Sequence, residues 1–201
     1  VGANGASSRL TFDKSIATSV VRAVGLNAPR QIALPHDIFR ELGAPALMES
    51  IGSQLGYPLM VKPSRSGSAL GVTKVSSASE LPSALVAAYA YGPVAVIESY
   101  LEGTEIAVTV LDEGDGPVAL PAVEIRPESG VYDYESRYTA GTTRFVAPAQ
   151  LDDVVLAAAG ELAVAVHEAL GFRHITRVDK IVRDGVPVIF EGNVAPGMTQ
   201  T

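Results

Sequence analysis

A loop of small residues between two predicted strands constrains the fold of this chain more than any other feature. Residues 59–63 and 71–75 read as strands, and the segment between them is Ser-Arg-Ser-Gly-Ser-Ala-Leu. Small residues let backbone N–H groups come close to a phosphate. Walker A and Rossmann loops lead into a helix, so a loop that leads into a strand argues against both folds. An ordinary flexible hairpin is the simpler alternative, but Lys62 at the entrance to the loop favours a phosphate-binding role.

Composition restricts the class of protein. The 22 acidic residues outnumber the 15 basic ones, and a net charge of −7 argues against a general nucleic-acid binder. The absence of Cys excludes a disulfide scaffold, a thiol nucleophile and Cys-ligated metals, and the three scattered His form no ligand pair. The sequence shows no signal peptide and no apolar run near the roughly 20 residues that span a bilayer. We therefore expect a soluble, cytoplasmic α/β-type protein without nucleic-acid or membrane partners.

The spacing of apolar residues predicts two α+β lobes. Strands are expected at 31–34, 59–63, 71–75, 94–98, 106–111, 119–125, 176–182 and 186–191. Helices are expected at 13–24, 46–55, 79–91 and 151–170, after a connecting segment at 1–8. Ser79 would cap the third helix. The fourth would pack through Val154, Val155, Ala158, Leu162, Val166 and Leu170.

Polar residues end the last two predicted strands. Arg177 and Asp179 are two positions apart and share a face, as do Glu191 and Asn193. The two pairs meet if the turn between the strands has an odd length, with Gly185 left-handed in a three-residue turn, whereas a two-residue turn would separate them. The oxygen donors Asp179, Glu191 and Asn193 suit Mg²⁺ or Mn²⁺. An inert, solvated strand end is the alternative, but the apolar run that leads into Glu191 favours a metal site.

In this order, the motifs resemble those of the ATP-grasp enzymes and, more narrowly, of the D-alanine–D-alanine ligase family. The resemblance rests on Asp13-Lys14, residues 61–71, Glu98, Gly103-Thr104-Glu105, the segment 132–138, Arg177-Val178-Asp179 and residues 191–199. It implies an α+β ATP-grasp fold with lobes at 1–97 and 98–201 and the nucleotide between them. Residues 127–143 would form a mobile loop over the active site. Full enzymes of this family have an N-terminal substrate lobe before Asp13 and continue beyond residue 199, so we expect a fragment without that lobe, truncated at its end.

The resemblance also implies a reaction. The family makes peptidoglycan precursors: ATP phosphorylates the carboxylate of one D-alanine, and the amine of a second attacks the acyl-phosphate. ATP binding is assigned by resemblance to Lys14, Lys62, Ser68, Glu98, Glu105 and Arg137, with Glu98 at the adenine and Glu105 at the ribose. Catalysis is assigned to Tyr138, and to Arg177 and the Gly197 N–H as donors to the oxyanion. Two Mg²⁺ (or Mn²⁺) ions are assigned to Asp179, Glu191 and Asn193. The partners would be small amino acids, and the full-length protein would be a homodimer.

Two positions depart from the family pattern. Ala69 lacks the hydroxyl of a serine that helps link the loop tyrosine to a glutamate of the N-terminal lobe, and Arg137 stands where lysine is usual. Tyr138 favours an amine as the second substrate. Three functions therefore stay open: a D-alanyl-D-alanine ligase, an ATP-grasp ligase of another amino-acid pair, and a nucleotide-binding fragment without turnover of its own.

Overall fold

The computed structural model describes residues 2–42, 44–128, 139 and 141–197. The chain separates into two compact units: Val1–Thr11, Ile16–Ala28 and Leu101–Thr201 form unit 1, and Phe12–Ser15 and Pro29–Tyr100 form unit 2. No helix within the described residues is both long and apolar enough to cross a membrane.

Unit 2 contains a four-stranded antiparallel sheet in the order β1-β4-β2-β3. Its strands are β1 (Gln31–Pro35), β2 (Leu59–Pro63), β3 (Thr73–Val75) and β4 (Val94–Ser99), and its helices are α3 (His36–Leu42), α4 (Ala44–Leu55) and α5 (Leu81–Tyr89). Apolar side chains of one sheet face pack with the helices to form the core, including Leu59, Val61, Ile97, Ile51 and Leu85. Alternation along the strands leaves Lys62 and Glu98 on the other face.

Two predictions for unit 2 need correction. Residues 36–42 form a helix that was not predicted, because seven residues carry too little periodicity to identify one. The N-cap of α5 is Glu80 rather than Ser79. The Glu80 carboxylate accepts hydrogen bonds from the Ser76 N–H and the Ser77 hydroxyl, so this residue ties the entering turn to the helix.

Unit 1 contains a six-stranded antiparallel sheet in the order β10-β9-β5-β7-β8, with β6 also paired to β5. Its strands are β5 (Thr104–Leu111), β6 (Val118–Ala119), β7 (Val123–Pro127), β8 (Thr143–Val146), β9 (Ile175–Arg183) and β10 (Val186–Asn193). The helices before this sheet are α1 (Gly5–Phe12) and α2 (Lys14–Ala23), and α6 (Asp153–Ala169) packs against β5, β9 and β10. The single strand predicted at 119–125 is therefore two short strands.

The structure buries half of the predicted face of α6: Leu162, Val166 and Leu170 are buried, and Val155 and Ala158 are half-buried. Val154 is 81% exposed, whereas Ala159, Leu162, Ala163, Val166 and His167 are buried. The helix has apolar residues around most of its circumference, so periodicity alone does not select the stripe that packs.

The first residues of the chain also depart from the prediction. Residues 5–12 form helix α1 rather than a connecting segment. The Asn4 side-chain oxygen accepts hydrogen bonds from the N–H groups of Ala6 and Ser7, which is the contact that an N-cap residue makes.

Of the predicted loop at 127–143, the described residues are 127, 128, 139 and 141–143. Pro127 pairs with Thr143, and the Glu128 N–H donates to the Thr142 carbonyl, so β7 and β8 close the base of the loop. The remainder of this prediction, including Arg137 and Tyr138, lies outside the described residues.

Candidate functional site

The hairpin of β9 and β10 sets the register of the predicted metal ligands. Arg183 pairs with Val186, so the turn contains two residues, Asp184 and Gly185, both with positive φ. The predicted three-residue turn is therefore wrong. With this turn, regular pairing would place residue 190 opposite Asp179 and would turn residue 191 to the other face of the sheet.

A β-bulge at Phe190 restores the arrangement. The register shifts between Ile189 and Glu191, so that Glu191 lies opposite Asp179. The same shift places Asn193 opposite Arg177. The extra residue lies within β10 rather than in the turn, and it brings the two polar pairs to one face.

Asp179 is the centre of the hydrogen bonds on this face. It is 2% exposed, and its two oxygens accept hydrogen bonds from Arg177 Nε and Nη2 at 2.7 and 2.9 Å. Asn193 Nδ2 donates to Asp179 Oδ2 at 2.9 Å. Two parallel bonds between a guanidinium and a carboxylate fix the orientation of both groups. The buried negative charge therefore has a matched cation beside it.

The neighbouring strand β5 adds a predicted ATP ligand to the same face. Ala107 pairs with Asp179, so Glu105, two positions earlier, shares its face. Gly197 follows β10 and is exposed. Within the described residues, no group of three or more His, Cys, Asp or Glu is placed to hold a metal. A divalent ion here would depend on two carboxylates, Asp179 and Glu191, together with the Asn193 amide oxygen.

In unit 2, the structure brings together two residues that the sequence assigned to different parts of ATP. Lys62 on β2 and Glu98 on β4 are diagonal neighbours on one sheet face, and Lys62 Nζ lies 2.6 Å from Glu98 Oε1. Each side chain is 6% exposed. The second oxygen, Glu98 Oε2, is buried and has no hydrogen-bond partner within the described ranges. A buried acceptor without a hydrogen bond costs folding free energy unless a ligand or a water molecule donates to it.

The glycine-rich loop is held at its start by Asp13 and by Lys14, the first residue of α2. Lys14 Nζ donates to the Ser66 carbonyl at 2.6 Å, and the Lys14 N–H donates to the Ser64 carbonyl at 2.8 Å. The carboxylate of Asp13, which was not predicted as a site residue, accepts hydrogen bonds from the hydroxyl of Ser64 and from Nε of Arg65. The only signal for Asp13 in the sequence is its position directly before Lys14.

Further along, the loop adopts a backbone that non-glycine residues rarely take. Ser68 and Ala69 have φ values of 53° and 58°. Gly71 follows with φ of 71°, where a Cβ would lie 2.6 Å from the Tyr91 ring. The predicted ATP ligand Ser68 therefore lies in a left-handed turn of the loop.

Comparison with known families decides the identity of the fold. A family model described as D-ala D-ala ligase C-terminus matches residues 20–201. The chain belongs to this family. The resemblance expected from the motifs and the α+β ATP-grasp fold are thereby confirmed.

Relatives agree with this assignment. The chain is 36% identical over 195 residues to a D-alanine–D-alanine ligase of Pelotomaculum thermopropionicum, covering 96% of this chain and 61% of the relative. It is 38% identical over 195 residues to one of Anaeromyxobacter dehalogenans, covering 96% of this chain and 60% of the relative. The chain thus spans about 60% of the length of these curated relatives.

Solved structures give the same picture. The VanG D-Ala:D-Ser ligase of Enterococcus faecalis has a TM-score of 0.86 at 33% identity, covering 99% of this chain and 57% of that one. A D-alanine–D-alanine ligase of Bacillus anthracis complexed with ATP has a TM-score of 0.78 at 30% identity, covering 99% of this chain and 60% of that one.

Proposed function

We propose that this chain supplies the ATP- and metal-binding part of an ATP-dependent carboxylate–amine ligase that forms a D-alanyl-D-alanine-type dipeptide through an acyl-phosphate. The observation that carries the proposal is the register of the terminal hairpin. It gathers Arg177, Asp179, Glu191 and Asn193 on one face, in a chain whose relatives are D-alanine–D-alanine ligases. We extend the proposal to a homodimer of the full-length protein and to the cytoplasm, where ATP and amino-acid precursors are available.

The residues present fit a divalent metal. Asp179, Glu191 and the Asn193 amide offer oxygen donors, which Mg²⁺ and Mn²⁺ prefer, and no softer ligand is among them. We assign two ions to this set. Mg²⁺ would neutralise charge on the β- and γ-phosphates. Arg177, already oriented by its two bonds to Asp179, would be held in position to donate to an oxyanion, together with the Gly197 N–H.

ATP contacts are proposed for both units. Glu98 Oε2 is a buried acceptor without a hydrogen-bond partner in the described ranges, and the exocyclic amino group of adenine would donate to it. Lys14 and Lys62 are assigned to the phosphates, and Glu105 is assigned to the ribose. The loop residue Ser68 and the residues Arg137 and Tyr138 complete the proposed set.

The test is release of ADP and phosphate by the full-length protein. We expect release to require both Mg²⁺ and D-alanine, and Glu191→Gln to abolish it while the exposed α6 variant Glu161→Gln retains it. Calorimetry should show weakened binding of ATP–Mg²⁺ in Lys62→Ala and Glu191→Ala. Full affinity in both variants would contradict the site. No stimulation by any D-amino acid would overturn the D-alanine assignment.

A second candidate is a ligase that joins D-alanine to a different second amino acid. The observation in its favour is the TM-score of 0.86 to a D-Ala:D-Ser ligase, together with Ala69 in place of the family serine. Mass spectrometry of the products formed from D-alanine alone and from D-alanine with D-serine separates the two candidates. Formation of D-alanyl-D-alanine alone would reject the second.

A further inference from the structure

Asp13 forms the densest set of polar contacts at the start of the glycine-rich loop. The residue is 8% exposed, although it directly precedes a helix and carries a charge. Its Oδ1 accepts hydrogen bonds from the hydroxyls of Ser15 and Ser64, both at 2.6 Å, and its Oδ2 accepts one from Arg65 Nε at 3.0 Å. Both carboxylate oxygens therefore accept hydrogen bonds, and the donors Ser64 and Arg65 belong to the loop.

Hydrogen bonds to backbone carbonyls add to these side-chain contacts. Lys14 reaches the Ser64 carbonyl through its N–H and the Ser66 carbonyl through its Nζ. Gln31 Nε2 donates to the Ser15 carbonyl at 2.7 Å, which fastens the segment 13–15 to strand β1. The beginning of the loop is thus joined to a rigid strand through residues 13–15.

The loop needs such an anchor because part of its backbone is strained. Between Ser66 and Thr73, the backbone bonds among the described contacts are two short-range ones, Leu70 N–H to the Gly67 carbonyl and Val72 N–H to the Ala69 carbonyl. Ser68 and Ala69 also hold left-handed φ values, which cost free energy in non-glycine residues. Without the contacts that fix residues 64–66, the loop would populate conformations that relieve this strain.

We propose that Asp13 is a positioning residue that holds residues 64–66 and thereby keeps the glycine-rich loop and Lys14 in the conformation that receives the ATP phosphates. The proposal rests on the function proposed above. In this role Asp13 acts through Ser64, Arg65 and the neighbouring Lys14. Its charge matters because bonds to an ionised acceptor are about twice as strong as neutral ones.

The simpler alternative is a purely structural role. An acidic residue directly before a helix is a common N-cap, and Asp13 directly precedes α2. In that case, its loss would loosen α2 and lower stability, while the loop and the affinity for ATP would be unaffected. The two roles therefore differ in which segment responds.

The test compares Asp13→Asn with wild type in the full-length protein. The substitution keeps the size of the side chain and removes its charge. We expect faster hydrogen exchange in residues 64–71 without ligand, ATP–Mg²⁺ affinity lowered roughly 10- to 100-fold as charge-assisted bonds are lost, and an unchanged KM for D-alanine. The matched control is Asp37→Asn, an exposed acid in the first turn of α3, for which we expect no change in any of the three.

A second variant keeps the proposal testable if Asp13→Asn folds poorly. Ser64→Ala removes one loop donor, and we expect it to weaken ATP binding by several-fold, with little further loss in the double variant. The proposal would be overturned if Asp13→Asn showed wild-type hydrogen exchange in residues 64–71 and wild-type ATP affinity. It would also be overturned if the losses of ATP affinity in the two single variants were fully additive in the double variant. Absence of ATP binding by the wild-type protein would instead overturn the proposed function, so the two failures are distinguishable.

Discussion

Lys180 offers a sharp test of the energetics of unit 1. It lies in the middle of β9 and is 0% exposed, with Ile106 of β5 and Ile189 of β10 as its cross-strand neighbours. Its Nζ donates one long hydrogen bond, at 3.3 Å, to the Val178 carbonyl. Burial lowers the pKa of Lys180 from 10.5 to about 7, and the nearby Asp179 carboxylate opposes this shift more weakly. Lys180→Met replaces the ammonium with an apolar group of similar length.

The magnitude follows from the two pKa values. Between pH 7 and 10.5 the unfolded chain binds more protons at this residue than the folded one, so stability rises with pH across that window. Below pH 7 the cost of the buried charge is fully present. The difference between the folded and unfolded pKa corresponds to about 5 kcal/mol. We therefore expect Lys180→Met to raise the free energy of unfolding by about 5 kcal/mol at pH 6, about 3 kcal/mol at pH 8 and about 1 kcal/mol at pH 9.5.

Urea unfolding at these three pH values, in metal-free buffer, measures the effect. The control is Lys74→Met, because Lys74 is exposed and its Nζ lies 3.9 Å from the centroid of the Tyr100 ring. The loss of this cation–π contact should change stability by about 1 kcal/mol or less. Equal stability of Lys180→Met and wild type at pH 6, or a gain that does not shrink as pH rises, would refute the reasoning.

Two further predictions concern the same unit. Gly103→Ala should lower the free energy of unfolding by about 3 kcal/mol or more, and the melting temperature with it, because the new Cβ would overlap the Val182 carbonyl oxygen. Gly114→Ala is the control, because Gly114 also has a positive φ but no atom lies near the position of its new Cβ. An equal loss of stability in both variants would show that backbone strain alone is responsible. The hydrogen bond from Arg126 holds the pKa of Glu124 below its ordinary value. The ionised Glu124 carboxylate therefore contributes its full stabilisation above pH 4.5, and this stabilisation is lost as the pH falls through the folded pKa. Glu124→Gln should cost about 1 kcal/mol at pH 7 in urea unfolding and flatten the acid side of the stability profile, whereas an unchanged acid side would contradict this reasoning.

The sequence predicted the strands and helices whose residues show a clear local pattern. The hairpin of β2 and β3 follows from two short strands around a loop of small residues, and it is confirmed. Helices α1 and α3, with eight and seven residues, were missed because each is too short to show a period. The position of α6 was predicted, but its packing face was predicted only in part, because the sheet beneath it selects one stripe from a helix that is apolar nearly all round.

The candidate site shows where local information ends. The sequence identified Asp179 and Glu191 and required one extra residue to bring them to one face, but it placed that residue in the turn. Asp-Gly favours a two-residue turn, in which both positions have positive φ. The extra residue is therefore displaced into β10, where the Ile189 N–H next to the bulge donates to the Asn27 carbonyl. A bond between residues so far apart in the chain leaves no local signature, and the contact of Lys62 with Glu98 is of the same kind. Side-chain chemistry in the sequence thus indicates candidate site residues, and long-range backbone pairing determines which of these residues lie together.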